Sequence, residues 1–156
     1  MKPVTATIDV PQPRTEVFEF LDVLANHEAF TDHFLVDWEV SGPRSGVGAQ
    51  ARMKVKGPGP DDRLDMKVIA SERPRTTVEE SIGAKGRRRT RGTYLLAELP
   101  GGGTRITFEL AWLEAPLAER LIAPIARSVV GRNNQRSLRR LAEELDRRPA
   151  TEGGNG

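Results

Sequence analysis

The sequence contains no cysteine, so disulfide bonds and thiolate chemistry are both excluded. It also has no apolar run long enough to span a membrane. The first ten residues, MKPVTATIDV, lack the apolar core that a signal peptide carries. We therefore expect a cytoplasmic protein that is not membrane-spanning.

An excess of charge of one sign is also missing. The 156 residues include 24 Lys and Arg against 22 Asp and Glu, which leaves a net charge of only +2. The high isoelectric point therefore reflects arginines that acids nearly balance, and it does not indicate a strong overall field. Apolar residues make up 37% of the chain, a composition typical of a globular protein of one domain.

Histidine is scarce, and its spacing argues against a metal site. The stretch HEAFTDH holds both histidines, His27 and His33, with Thr31 at the position where a helical zinc motif has its second histidine. Without cysteine, the sequence predicts no metal site, and the two histidines are interpreted as ordinary loop or helix-end residues. The glycine pattern GVGAQA leads into a predicted strand, not a helix, so it indicates a turn and no cofactor.

Alternating apolar and polar residues predict seven strands joined by short turns. Turn signals such as SGPRSGVG, GPGPDD, GAKG and PGGGT separate most of them. Strands with this spacing are typical of an antiparallel sheet. The predicted strands cover residues 4–10, 36–40, 49–55, 64–70, 78–82, 87–99 and 106–112.

Helical periodicity is found in two places. After the first strand, Pro11 and Pro13 open a helix, and a short second helix follows to about Phe30. From Pro116 onward, an apolar stripe predicts one helix of about 30 residues that Pro124 should kink. We expect a single domain over residues 1–147 and a disordered polar tail over 148–156.

This order of elements carries a family resemblance over nearly the whole chain. The matching stretches are TATIDVPQPRTEVFEFL, SGVGAQARMKV, GGGTRITFEL and NNQRSLRRLAEEL. They resemble the START and birch-pollen-allergen (SRPBCC) superfamily, including its polyketide cyclase/dehydrase-like bacterial members. The resemblance implies an α+β helix-grip fold, in which a curved seven-stranded antiparallel sheet wraps around a long C-terminal helix. It also implies an apolar cavity that binds lipids, sterols, polyketides or plant hormones, and in some members cyclises or aromatises a polyketide.

A cavity also follows from the shapes of the predicted elements. A strongly curved sheet cannot lie flush against a straight helix, so the gap is either filled by large side chains or left open. Small or flexible residues on the predicted strands, such as Ala49, Ala51 and Ala70, favour an open cavity over a filled core. The ligand contacts expected from the apolar pattern are Trp38, Met53, Met66, Phe108, Leu121, Ile125 and Val129.

The arginine cluster GRRRTRGTY lies on one arm of a predicted hairpin. Pairing it with the preceding strand places Arg89 opposite Glu80. Glu80 is in phase with Val78 and Ile82, so it is expected on the concave side, where Arg89 would balance its charge. A bulge near Gly92 would invert this register and put Tyr94 and Leu96 on the inner face.

Three interpretations of the cluster remain open at this point. It is a charged rim that keeps an edge strand soluble, a polar contact set in which Glu80 and Arg89 orient a ligand, or a nucleic-acid surface. The last is disfavoured because acids are interleaved with the arginines and only Tyr94 offers a stacking partner. Asn133 and Asn134, which interrupt the helix stripe, are either a surface-facing or water-bonded pair or form a hydrogen bond to a ligand inside the cavity.

The sequence predicts a binding module for a small, largely hydrophobic molecule. The alternative is a polyketide cyclase or aromatase that uses the same cavity, with Glu80 as the weak candidate for a catalytic base. A third possibility is a protein-interaction role with a filled interior. We expect a monomer or homodimer that binds no nucleic acid.

Overall fold

A single antiparallel sheet of seven strands forms the centre of the protein. The computed structural model describes residues 1–57 and 61–148. The strand order is β1-β7-β6-β5-β4-β3-β2, so strands 1 and 2 lie at opposite edges and strand 5 lies in the middle. The predicted number and order of strands are confirmed. Their bounds are β1 Val4–Val10, β2 Leu35–Ser41, β3 Gln50–Val55, β4 Asp62–Glu72, β5 Thr76–Gly83, β6 Arg88–Glu98 and β7 Thr104–Glu114.

Two short helices follow the first strand, as predicted. Helix α1 spans Arg14–Leu21, and Pro13 occupies its N-cap position. A 3₁₀ turn over Leu24–His27 leads into helix α2, Glu28–Thr31. Val17, Phe18, Phe20 and Leu21 are all buried, so the first helix is held by packing of its apolar face.

The C-terminal segment forms two helices where the sequence predicts one kinked helix. Helix α3 spans Leu117–Leu121 and helix α4 spans Ala123–Arg147. The helical conformation is interrupted at Ile122, whose φ of −112° and ψ of 29° are not helical. Pro124 lies in the first turn of α4. Its missing N–H is not needed there, so it starts a new helix instead of kinking a continuous one.

The long helix packs closely against the sheet only through its C-terminal half. Leu138, Leu141 and Leu145 are buried in the main core, which they share with α1 and with strands 1, 6 and 7. Ile125 and Val129, in the N-terminal half, are 62% and 42% exposed. A second core lies under strands 2 to 4. The helix-grip architecture is therefore confirmed, and it leaves a gap between the sheet and the first turns of α4.

Within the described ranges, no helix is both long enough and apolar enough to cross a membrane. The single-domain boundary at residue 147 stays a prediction. Of the tail predicted over 148–156, only Arg148 is described, and its guanidinium lies 4.6 Å from the centre of the Phe20 ring.

Candidate functional site

A cavity of about 390 Å³ lies between the sheet and the N-terminal half of α4. The expectation of an open cavity is confirmed, and the filled-core alternative is wrong. A volume of this size is in the range of small-molecule sites. Aromatic residues from three strands and the segment after α2 contribute much of its wall, namely Phe34, Trp38, Tyr94, Phe108 and Trp112.

A carboxyl group enters this wall from the central strand of the sheet. Glu79 on β5 is only 8% exposed and lines the cavity. Its cross-strand neighbour on β6 is Gly92. A Cβ at position 92 would lie 2.8 Å from Cζ of Phe108 and 3.1 Å from Oε1 of Glu79. The glycine therefore leaves the space that the Phe108 ring and the Glu79 carboxyl occupy.

His27 faces Glu79 across the cavity wall. Its Nδ1 lies 3.9 Å from Oε2 of Glu79, and its ring is almost completely buried. Its Nε2 is 2.8 Å from the backbone carbonyl of Leu21. A carbonyl can only accept, so Nε2 carries the proton and Nδ1 presents a lone pair toward the carboxyl.

Burial drives both groups toward their neutral forms. It lowers the pKa of His27 from 6.5 to about 4 and raises the pKa of Glu79 from 4.5 to about 8. Burial also raises the pKa of Tyr94, whose ring stands edge-on to His27 with 5.7 Å between centres, and the nearby Glu79 adds to that rise. At neutral pH the carboxyl is thus a hydrogen-bond donor beside an unprotonated imidazole nitrogen.

Helix α4 adds three polar residues to the cavity wall, namely Asn133, Asn134 and Ser137. Asn134 is 7% exposed, and its Nδ2 has no hydrogen-bond partner among the described residues. Of the two alternatives for the asparagine pair, the surface position is wrong for Asn134 because the residue lines the cavity. A hydrogen bond from it to a ligand stays a prediction.

An arginine on β6 connects helix α3 to the sheet at the cavity. Arg88 donates from Nη1 to Oδ2 of Asp62 at 2.6 Å and from Nε to Oε2 of Glu119 at 3.0 Å. These hydrogen bonds, the one to Glu119 first, raise the pKa of Arg88 above its usual range. Because Glu119 belongs to α3 and Asp62 begins β4, the guanidinium joins three elements around the cavity.

Five of the nine predicted ligand-contacting residues line the cavity, namely Trp38, Met66, Phe108, Ile125 and Val129. Their contact with a ligand stays a prediction. Met53 is instead buried in the second core, under strands 2 to 4. Leu121 is 75% exposed and does not line the cavity. The non-helical Ile122 interrupts the helical period that placed Leu121 on one stripe with Ile125.

The predicted orientation of Glu80 and Arg89 is wrong. Both lie on the outer face of the sheet, where Glu80 pairs with Arg91 at 2.7 Å and with Arg89 at 3.7 Å. The hairpin register differs from the predicted one, since Glu80 is opposite Arg91 and Ile82 is opposite Arg89. The edge-strand interpretation is also wrong, because β5 and β6 are interior strands. Two arginines of the cluster, Arg89 and Arg91, form ion pairs with Glu80 on the convex face, whereas Arg88 pairs with two acids on the cavity wall.

The inner face of β6 is opposite to the one that pairing Arg89 with Glu80 predicted. Arg88, Thr90 and Gly92 line the cavity in step with Tyr94 and Leu96, which are buried, whereas Leu95 is 50% exposed. The alternative in which Tyr94 and Leu96 share the inner face is therefore confirmed. The bulge near Gly92 that it assumed is wrong, because β5 and β6 pair continuously there, and the register shift between β6 and β7 lies at Arg89 and Thr90.

Sequence reasoning missed Glu79, His27 and Arg88. One signal for Glu79 was available: two consecutive glutamates on a strand must point to opposite faces, so one of them enters the sheet's inner side. His27 does end the 3₁₀ turn, but its buried place beside Glu79 depends on chain segments far apart in sequence. In the described part of the chain, no three His, Asp or Glu side chains come together as metal ligands. The absence of a metal or cofactor stays a prediction.

Comparison with known proteins supports the same architecture. A family model described as polyketide cyclase/dehydrase and lipid transport matches residues 1–146. No curated protein matches the chain in sequence. Among solved structures, TTHA0849 from Thermus thermophilus has a TM-score of 0.76 at 19% identity, covering 92% of this chain and 97% of that one.

Two further neighbours show the same fold. The Zhui aromatase/cyclase from Streptomyces sp. R1128 has a TM-score of 0.69 at 19% identity, covering 97% of this chain and 98% of its own. Ara h 8.0201 has a TM-score of 0.68 at 13% identity, with coverages of 94% and 99%. At these identities the likeness establishes the fold alone.

Proposed function

Because this chain belongs to the polyketide cyclase/dehydrase and lipid transport family, we propose that it binds a small, largely hydrophobic molecule in the cavity beneath α4. Family and fold neighbours support hydrophobic ligand binding or cyclase chemistry in general. The observation that carries the proposal is the cavity of about 390 Å³ with its aromatic wall. A ligand's apolar part would remove this wall from water, which is the main source of affinity in such sites.

The polar end of the ligand would meet Glu79 and His27. Both line the cavity, and the Glu79 carboxyl makes no hydrogen bond within the described ranges. A polar group left without a partner in an apolar cavity gains most from a ligand that supplies one. In this proposal Glu79 and His27 orient the ligand, a role that the sequence analysis gave to Glu80 and Arg89.

Native mass spectrometry followed by organic extraction tests the binding function. We expect an apolar adduct on the wild-type protein and on an Ile82→Phe variant, because Ile82 lies on the outer face and is 44% exposed. A Ser81→Phe variant should lose the adduct, because Ser81 is buried and lines the cavity. A mass without adduct, together with no thermal shift across a panel of lipids and polyketides, would count against the proposal.

A second candidate is an enzyme of the cyclase or aromatase type. The observation that favours it is the neutral pair itself, since the Glu79 carboxyl can donate a proton to a substrate oxygen while Nδ1 of His27 accepts one from carbon. Turnover of a polyketide analogue that is lost in Glu79→Gln and kept in Glu80→Gln would support it. Tight binding without turnover would support the binding function and count against the enzyme. The cytoplasmic location, the oligomeric state and the absence of nucleic-acid binding stay predictions.

A further inference from the structure

The Glu79 carboxyl lacks a counter-charge. It is buried at 8% exposure, and the nearest nitrogen that can carry a positive charge, Nδ1 of His27, is 3.9 Å away. His27 does not supply that charge at neutral pH, because burial lowers its pKa to about 4. An ionised Glu79 would therefore be an unpaired buried anion, which is costly until a cation reaches it.

The other charged groups on the cavity leave it acidic. Within the described ranges, its wall holds three acids, Asp62, Glu79 and Glu119. Arg88 is the one basic residue there that is charged at neutral pH, because His27 is neutral. The guanidinium of Arg88 is already bound to both Asp62 and Glu119. The cavity wall thus has no free positive charge for an anionic ligand, and it has one carboxyl for a cationic one.

The aromatic wall also favours a cation. Phe34, Trp38, Tyr94, Phe108 and Trp112 all line the cavity. The faces of such rings attract an ammonium group, most strongly where water is excluded. Tyr94 and Phe108 lie together with 4.5 Å between their centres. Tyr94 is on β6, the strand next to Glu79. Phe108 is on β7, one strand further away, and its ring approaches Gly92, the residue opposite that carboxyl.

We propose that the ligand of this cavity is a hydrophobic amine, whose protonated nitrogen pairs with Glu79 while its apolar part contacts the aromatic rings. This inference rests on the proposed binding function and narrows it to one class of ligand. A hydrophobic carboxylate finds no free positive charge on the cavity wall, and a neutral analogue binds more weakly than the amine because it forms no ion pair with Glu79.

Three matched compounds test the charge preference: 2-(2-naphthyl)ethylamine, 2-(2-naphthyl)ethanol and 2-naphthylacetate. Isothermal titration calorimetry at about pH 8 should show the amine binding about tenfold more tightly than the alcohol, with the carboxylate binding no more tightly than the alcohol. Glu79→Gln should reduce the preference for the amine to about twofold or less. Glu80→Gln, which changes the neighbouring carboxyl on the outer face, should keep it.

The pH dependence gives a second measurement that needs no variant. The free Glu79 carboxyl is protonated below its pKa of about 8, so pairing with an ammonium releases a proton. Affinity for the amine should rise close to tenfold per pH unit from about pH 6 toward about pH 8, while affinity for the alcohol does not rise. In this range His27 is already neutral, Tyr94 stays protonated and Arg88 stays paired with its two carboxylates.

The outcomes separate the two proposals. If the alcohol binds as tightly as the amine, or if the amine preference persists in Glu79→Gln, the amine proposal is overturned and hydrophobic binding stands. If none of the three compounds binds, the amine proposal is overturned, and the adduct measurement decides the binding proposal. If Glu79→Gln does not fold by circular dichroism, the pH dependence of the wild-type protein decides, and an amine affinity that is flat or falling toward about pH 8 overturns the inference.

Discussion

Glu79 and Gly92 face each other across the two strands β5 and β6, and the small size of the glycine gives the carboxyl its place in the cavity. Any larger side chain at position 92 would meet Oε1 of Glu79 and the ring of Phe108. The acid is thereby held against an aromatic ring and away from bulk water. This burial raises the pKa of Glu79 to about 8.

Replacing Glu79 with Gln should remove a loss of stability that the wild-type protein suffers as pH rises. The raised pKa of Glu79 makes the free energy of unfolding fall with rising pH between 4.5 and about 8. The lowered pKa of His27 makes it fall with decreasing pH between 6.5 and about 4. These slopes offset each other up to 6.5, so the net loss lies between 6.5 and about 8. It amounts to about 2 kcal/mol, at about 1.4 kcal/mol per pH unit.

Urea denaturation at the two ends of this window measures the loss. The wild-type protein and Glu80→Gln should both lose stability toward the alkaline end, whereas Glu79→Gln should lose little. An equal loss in Glu79→Gln and in the wild type would show that another group causes it.

Adding one methyl group at Gly92 should destabilise the protein. In Gly92→Ala the new Cβ would lie 2.8 Å and 2.9 Å from two atoms of the Phe108 ring, so the ring or the strand must move. Overpacking of this kind costs about 1–3 kcal/mol. Gly131→Ala in α4 is the control, because its Cβ would make only a 3.4 Å contact with Val4, and it should stabilise the helix by up to about 1 kcal/mol. Thermal unfolding should show a lower melting temperature for Gly92→Ala and a higher one for Gly131→Ala than for the wild-type protein.

Breaking the Arg88 contacts should loosen α3. Arg88→Met removes the hydrogen bonds to Glu119 and Asp62, and with them the ion pair that holds α3 to the sheet. We expect amide hydrogen exchange in residues 117–121 to become about tenfold faster, equivalent to about 1.4 kcal/mol. Arg89→Met, on the convex face, should leave exchange there unchanged. Unchanged exchange in Arg88→Met would mean that other contacts hold the helix.

Removing the unpartnered amide of Asn134 should stabilise the protein. Its Nδ2 is buried without a partner among the described residues, so Asn134→Leu eliminates an unsatisfied donor at similar volume. The gain in the free energy of unfolding should be about 1 kcal/mol. Ser137→Ala is a useful contrast, because Oγ of Ser137 donates to the carbonyl of Asn133 at 3.0 Å. Chemical denaturation should show a loss for Ser137→Ala and a gain for Asn134→Leu.

The elements could be predicted because their signals are local. Alternation over a few residues marks each strand, and prolines and glycines mark the turns between them. Local signals also explain why Trp38, Phe108 and Val129 could be placed at the cavity from the sequence. Each of these residues belongs to a regular series of apolar residues in the sequence. In the structure all three line the cavity on the inner side of the sheet.

The face of β5 could not be predicted in this way. Apolar alternation favoured Val78, Glu80 and Ile82 as the inner set, but the buried residues are Thr77, Glu79 and Ser81. The rule that apolar residues point inward assumes a packed core. Where a strand borders a cavity with polar groups, its inner residues need not be apolar, and the pattern then indicates the wrong side.

The sequence by itself determined the order of the elements, the antiparallel sheet and the presence of a long amphipathic C-terminal helix, since each rests on neighbouring residues. Only the tertiary structure decided which of two consecutive glutamates enters the cavity, and that it lies opposite a glycine and beside His27. The turn at residues 84–86 joins β5 and β6 in the observed register, and three distant segments converge on the carboxyl. Register and convergence are properties of the whole sheet, and no local pattern encodes them.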